Sequence, residues 1–292
     1  MLLTAFGCQP QADWAAHFDP SPFAMPYDLS RPDTCHLLPD ALREISGLSW
    51  CPDTLWTHND EQGILFCLSA NDASLLDTIH FHKHGDYEGV EKVGPTVWVV
   101  KSNGTLYAVD LRTRTTRKYA TPLGEAQDVE GLAYDSAHHR LLLACKGSAG
   151  EGFSPFERAI YAFDLEARQL QPRPLHLINQ QAVDAWLGAQ PAGEWRDKLM
   201  EAFAKTDDHL RFQPSALAVH PLTGDLWVVS SPGKLLAILS PDGRIRHIAR
   251  LDKRLLPQPE GIAFAADGTL FLASEGRDGQ GKICRFRPLS DR

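Results

Sequence analysis

Three glutamates in near-identical settings carry the most chemistry this sequence offers: Glu88 in "DYEGVEKV", Glu130 in "DVEGLAYD" and Glu260 in "QPEGIAFA". Each is followed by glycine and a short apolar run, and two residues before the first two stands another acid, Asp86 or Asp128. Aligned on that glycine, "REISGLSW" adds Glu44 and Ser46, and "FQPSALAV" adds Gln213 and Ser215. With Gln258, every residue in both columns bears a side-chain oxygen. Carboxylates gathered at one place repel, and burial penalises each charge further, so such a cluster must take up protons or hold a cation. Oxygen donors without Cys or a clear His contribution favour a hard ion, and their number suits the roughly six to eight ligands of calcium better than the octahedron of magnesium. The metal-ligand candidates are therefore Glu88, Glu130, Glu260, Glu44, Asp86 and Asp128. The competing reading pairs these acids with Lys101 and Lys146, or leaves them hydrated around an open channel.

A repeat has to bring these distant residues together. The anchors Gly47, Gly89, Gly131, Ala216 and Gly261 are spaced by 42, 42, 85 and 45 residues. After each comes a second apolar run, such as "VWVVKS" or "LWVVSS", then a third, such as "TLYAVDL" or "AIYAFDL", then a more polar fourth, such as "RTTRKYA". Turn signals ("SNG", "LTGD", "SPDG", "AADG") separate the runs. Four antiparallel strands per unit, the outermost most polar, is the pattern of a β-propeller blade. The long spacing holds a stretch with helical periodicity, Trp195, Leu199 and Phe203 at four-residue steps, so residues 178–210 are expected as a helical insertion on the third of five blades. The last unit ends at "KICRFRPLSDR" without a fourth strand, and an uncovered edge invites aggregation. The segment 25–39 is free to supply that strand, which would set Cys35 beside Cys284 and make a disulfide conceivable in an oxidising compartment. The expected fold is an all-β, five-bladed propeller over residues 25–290, preceded by a signal remnant or flexible start at 1–24.

The first strand of each propeller blade lies innermost. That crowding accounts for the small anchors, and for Ala133, Ala218 and Ala263 two residues beyond them. The second runs end in Asp60, Lys101, Lys146, Ser230 and Glu275, and the sequence leaves open whether these ends return to the channel mouth or sit at the far rim. If they return, Lys101, Lys146, Asp60 and Glu275 are candidate ligand-binding residues. His80, His82 and His84 alternate, so on a strand they would share a face fit for a transition metal; as loop residues at a blade junction they would be plain surface histidines.

Other classes are excluded. No GxSxG, P-loop, HExxH or GxGxxG occurs. Net charge is −8 with scattered basic residues, which speaks against nucleic acid. No apolar run reaches the roughly 18 residues of a membrane helix. The opening "MLLTAFGC" resembles the tail of a bacterial lipoprotein signal, which would make Cys8 a lipid anchor; otherwise Cys8 is an ordinary residue near the start.

The segments "EISGLSW" with "LWTHNDEQGILFCL", "DYEGVEKVG", "DVEGLAYD" and the closing "PQPEGIAF" with "GTLFLASEG" resemble the SdiA-regulated family of bacterial β-propellers, distantly similar to NHL-repeat proteins. The resemblance implies a five-bladed, exported or membrane-anchored protein with a calcium site, supporting Glu88, Glu130 and Glu260 with Glu44, Asp86 and Asp128 beside them. Ser215 and Ala216 depart from the acid and glycine, so an asymmetric site is implied. The functional expectation is a monomeric, envelope-associated periplasmic or outer-membrane lipoprotein that binds Ca2+ at its axial carboxylates and a small-molecule or protein ligand on the same face. The alternative, a calcium-dependent hydrolase of lactones, esters or phosphoesters, rests on fold analogy.

Overall fold

The computed structural model describes residues 18–203, 209–277 and 279–291; Cys8 and the rest of the lipoprotein-like start lie outside them. After a short strand β1 (Thr34–Leu37), the chain forms blade 1 from β2 (Ile45–Cys51), β3 (Thr54–Asn59), β4 (Ile64–Ser69) and β5 (Leu75–His80). Blade 2 is β6 (Tyr87–Val93), β7 (Thr96–Lys101), β8 (Leu106–Asp110) and β9 (Thr115–Tyr119). Blade 3 has β10 (Val129–Asp135), β11 (Arg140–Cys145) and β12 (Glu157–Asp164), with its outer strand split into β13 (Gln169–Leu170) and β14 (His176–Asn179). Helices α1 (Gln180–Gly188) and α2 (Glu194–Phe203) follow. Blade 4 is β15 (Pro214–Val219), β16 (Leu226–Ser230), β17 (Leu235–Leu239) and β18 (Ile245–Arg250). The chain ends with β19 (Pro259–Phe264), β20 (Leu270–Ser274) and β21 (Lys282–Phe286). All blades are antiparallel sheets, the first four in chain order, and β2, β6, β10, β15 and β19 pack side by side in a closed ring.

β1 completes blade 5 by pairing antiparallel with β21. Cys35 stands opposite Cys284, and the two form a disulfide across 249 residues of chain. The split in blade 3 falls at "QPRP", where Pro172 and Pro174 have no N–H to give a ladder; Gln171 and Leu175 on either side donate to Ala162 and Ile160. Asn179 caps α1 by accepting from the Ala182 N–H at 2.8 Å. Both helices bury one apolar face, Val183, Trp186, Leu199 and Phe203 among it, against blades 3 and 4. Trp195, at the start of the helical pattern, stays about half exposed and meets Trp186 edge-on.

The small anchors are set by the neighbouring blade. A Cβ on Gly89 would lie 2.9 Å from the backbone N and the Cβ of Leu132 in β10. One on Gly261 would lie 3.0 Å from the Cβ of Leu48 in β2. Innermost strands this close leave no room for a side chain, and the ring closes because of it.

The described residues ahead of β1, from Phe18 on, pack against the blades. Phe18 bridges to Ile245, and Phe23, Met25, Tyr27 and Leu29 pack on the blade 4 and 5 core. Tyr27 is buried between Trp227 and Phe264, and its hydroxyl reaches the Gly268 carbonyl at 2.5 Å and His220 Nε2 at 3.1 Å.

Candidate functional site at the channel mouth

Each innermost strand carries a register shift at the residue before the anchor: between Tyr87 and Gly89, Val129 and Gly131, Pro214 and Ala216, Pro259 and Gly261. The skipped residues are Glu88, Glu130, Ser215 and Glu260. A bulge of this kind leaves one residue unpaired and re-aims its side chain. In blade 1 the shift spans Ser46 to Ser49. The repeated acid column is thus a column of bulges around one axis.

The serines and the acids behave differently there. Ser46 Oγ donates to the Glu88 carbonyl at 3.1 Å and lies 3.3 Å from its Oε2, and Ser215 Oγ donates to the Pro259 carbonyl at 2.8 Å. They stitch blade to blade. Glu130 and Glu260 are 7% and 8% exposed and Glu88 is half-buried. Burial, then the charge of Glu130 and the charge and hydrogen bond of Asp86, pushes Glu88 up to about 10. Burial, then Glu130 and Glu275, lifts Glu260 to about 8. Burial lifts Glu130 only to about 7, because Lys146 opposes it.

Lys146 also settles which rim the second strands reach. Val129 pairs with Cys145, so β11 returns to the mouth, and Lys146 Nζ stands 2.5 Å from Glu130 Oε1 and 3.8 Å from Asp128 Oδ2. Burial pulls this ammonium down, but Glu130, Asp128 and Glu88 outweigh it and its pKa is raised. Burial raises Asp128 despite Lys146.

Asp60 and Glu275 reach the same rim from blades 1 and 5. Burial, then Glu44 and Glu61, raises Asp60 to about 6; burial, then Asp60, Glu44 and Glu130, raises Glu275 to about 7 against Arg277. One Asp60 Oδ1 is enclosed without a hydrogen-bond partner. The acids thus form an arc: Asp86, Glu88, Asp128 and Glu130 on blades 2 and 3, Glu260 and Glu275 on blade 5, Asp60 and Glu44 on blade 1. Glu44 and Asp86 are exposed at its edge. Lys146 is the cation within it. Lys101 lies at the rim opposite Tyr87, and its charge is felt at His82. Among the described residues no three His, Cys, Asp or Glu side chains gather as ready-made metal ligands. His80, His82 and His84 are all exposed, and His82 lies 3.1 Å from the Tyr87 hydroxyl; the three form no metal-ligand group among the described residues.

One axial acid escaped the sequence reading. Glu91 follows its anchor by two residues, where the other blades have Ser49, Ala133, Ala218 and Ala263. Its carboxylate accepts from Ser49 Oγ at 2.6 Å and from the N–H groups of Lys92 and Tyr134 at 3.0 and 3.3 Å, tying three blades together. Burial pushes it to about 7 against those hydrogen bonds. The signal was in the column: the one large residue among four small ones.

Fold and site define a five-bladed β-propeller with an acidic axial mouth. Within that class, the sequence profile of the SdiA-regulated family matches residues 194–277, from α2 through blade 4 to just past β20. Two solved propellers are similar in fold: the luciferin-regenerating enzyme, with TM-score 0.51 and 10% identity over 89% of this chain and 96% of that one, and the glutaminyl cyclase of Myxococcus xanthus, with TM-score 0.56 and 11% identity over 88% and 95%. At such identities the likeness is one of fold alone.

Proposed function

We propose that this chain is a cation-binding propeller of the bacterial envelope, with calcium held at the channel mouth and a ligand engaged on the same face. The observation that carries the reading is the gathering of Glu88, Glu130 and Glu260 on the bulges of innermost strands, where burial and the charges of Glu130 and Asp86 raise Glu88. Carboxyls so placed can share a site only with a proton or a cation between them. The oxygen donors suit a hard ion, and because no third ligand is in place, the fit is to a carboxylate pair completed by other oxygens and not to a full protein cage. Glu88 and Asp86 would hold calcium, which supplies the missing positive charge. Lys146 keeps Glu130 in an ion pair, so Glu130 and Glu260 shape the field around the pair.

Calorimetric titration of EDTA-treated protein with calcium tests this: one site is expected, at least tenfold weaker in Glu88→Gln. Absence of both heat and thermal shift at millimolar calcium overturns it. Glu130, held near 7, has the protonation a general base needs. Calcium-dependent turnover of a lactone, ester or phosphoester in the same samples, lost in Glu130→Gln, would make the mouth catalytic.

A further inference from the structure

A cleft of about 480 Å³ opens between blades 2 and 3 at the far end of the strands from the acidic mouth. Val93, Trp98, Ala108 and Tyr119 line it, with Arg112, Arg117 and Arg168 around its rim. His139, in the turn after β10, marks the distance from the mouth, since Glu130 is at the other end of that strand.

The protein shows what this kind of groove accepts. Trp98 in β7 and Trp227 in β16 hold the same place in their blades, each facing the next blade. Between blades 4 and 5 that groove is filled: Tyr27 lies against Trp227 and Phe264 with its hydroxyl on the Gly268 carbonyl. The equivalents of Phe264 and Gly268 in blade 3 are Tyr134 and His139, which hydrogen-bond each other at 3.0 Å. Among the described residues the blade 2 and 3 groove is lined from those two blades alone, with Tyr119 and Phe163 tilted against Trp98 at 5.3 and 5.9 Å and no outside segment laid in as Tyr27 is. It is also roomier, because Trp98 stands opposite Ala108 where Trp227 stands opposite Ile238. Between blades 1 and 2 the rim is bridged by Arg114 and Asp77 at 2.8 Å.

Charge separates this groove from the others. Among the described residues no carboxylate forms an ion pair with Arg112, Arg117 or Arg168. Asp110, the one acid lining the cleft, accepts instead from the backbone N–H groups of Arg112 and Thr113. Arg168 rests over the Tyr119 ring at 6.0 Å. Three guanidiniums on one cleft, none of them in an ion pair among the described residues, are unexpected in a chain of charge −8. Guanidinium forks match carboxylate and phosphate groups, and a cleft of this size takes a small organic molecule.

We propose that this groove binds a small aromatic acid, a planar ring carrying a carboxylate or phosphate. The ring enters as Tyr27 does in the equivalent groove, and the acid meets Arg117 and Arg168. The site is independent of the calcium reading.

Calorimetry with four probes tests it: 2-naphthoate, 1-naphthyl phosphate, neutral 2-naphthol and inorganic phosphate, each with EDTA and with calcium. At least one naphthyl acid should bind tenfold or more tighter than both 2-naphthol and phosphate, whichever metal condition is used; which acid wins names the acidic group. Arg117→Ala with Arg168→Ala should remove that advantage of tenfold or more while circular dichroism stays unchanged. Ala108→Ile, copying the residue of the filled groove, should block ring binding altogether. Equal binding of 2-naphthol and the acids, indifference of the double arginine variant, or no binding at 10 mM overturns the proposal.

Discussion

Glu260 is the cleanest handle on the mouth, since Glu130 is tied to Lys146 and Glu88 to Asp86. It is buried at 8% exposure, and its carboxyl is lifted from 4.5 to about 8, by burial first and then by Glu130 and Glu275. A folded chain that keeps this proton while the unfolded chain releases it loses stability as pH rises through that window, at about 1.36 kcal/mol per pH unit. The loss begins near 4.5, reaches roughly 3 kcal/mol by pH 7, and levels off above about 8. Glu260→Gln keeps the size and removes the titration. In EDTA at fixed ionic strength, the two proteins should melt together at pH 4.5 and separate as pH rises. By pH 8 the variant should melt higher by about 5 to 10 °C, at a few degrees per kcal/mol for a domain of this length. Differential scanning fluorimetry from pH 4.5 to 8.5 reads this directly. Parallel curves, or a variant less stable at pH 8, would refute the placement of Glu260 in a shared acidic field.

Gly89→Ala places a methyl 2.9 Å from the backbone N of Leu132, which cannot step aside, so the urea midpoint should fall by the equivalent of about 2 kcal/mol; an unchanged midpoint would contradict the close packing of β6 on β10. Replacing Cys35 and Cys284 together with serine removes a link spanning 249 residues. The loss should be about 2 to 5 kcal/mol in guanidinium unfolding. Reductant should reproduce it in the unaltered protein, and equal midpoints with and without reductant would refute it.

The ring and its closure were legible because they follow from repetition. Gly47, Gly89, Gly131 and Gly261 mark one structural place, and the segment 25–39 was free to supply the fourth strand missing after "KICRF", which put Cys35 across from Cys284. Placement of the acids was legible for the same reason, but its cause was not: the shift at Glu88, Glu130 and Glu260 is a property of strand pairing, which no run of residue types displays. Lys146 needed the return direction of β11, which alternation along a strand does not give. Glu91 and Tyr27 needed partners from other blades, Ser49 and Tyr134 for one, Trp227 and Phe264 for the other. Sequence periodicity reports what a strand does within its own blade and is silent on what fills the seams between blades.

Sealing the last blade with the first strand has a consequence for biosynthesis. As the polypeptide leaves the ribosome, blades 1 to 4 have all their strands in order of emergence, while β1 must wait for β21, whose cysteine lies 249 residues further on. Until then Cys35 shares the nascent chain with Cys8, Cys51, Cys67 and Cys145 but not with its true partner. Burial of Cys67 and Cys145 in their own blades removes those two from competition before Cys284 arrives. Folding in the order of emergence thus narrows the rivals of Cys284 to Cys51 and Cys8.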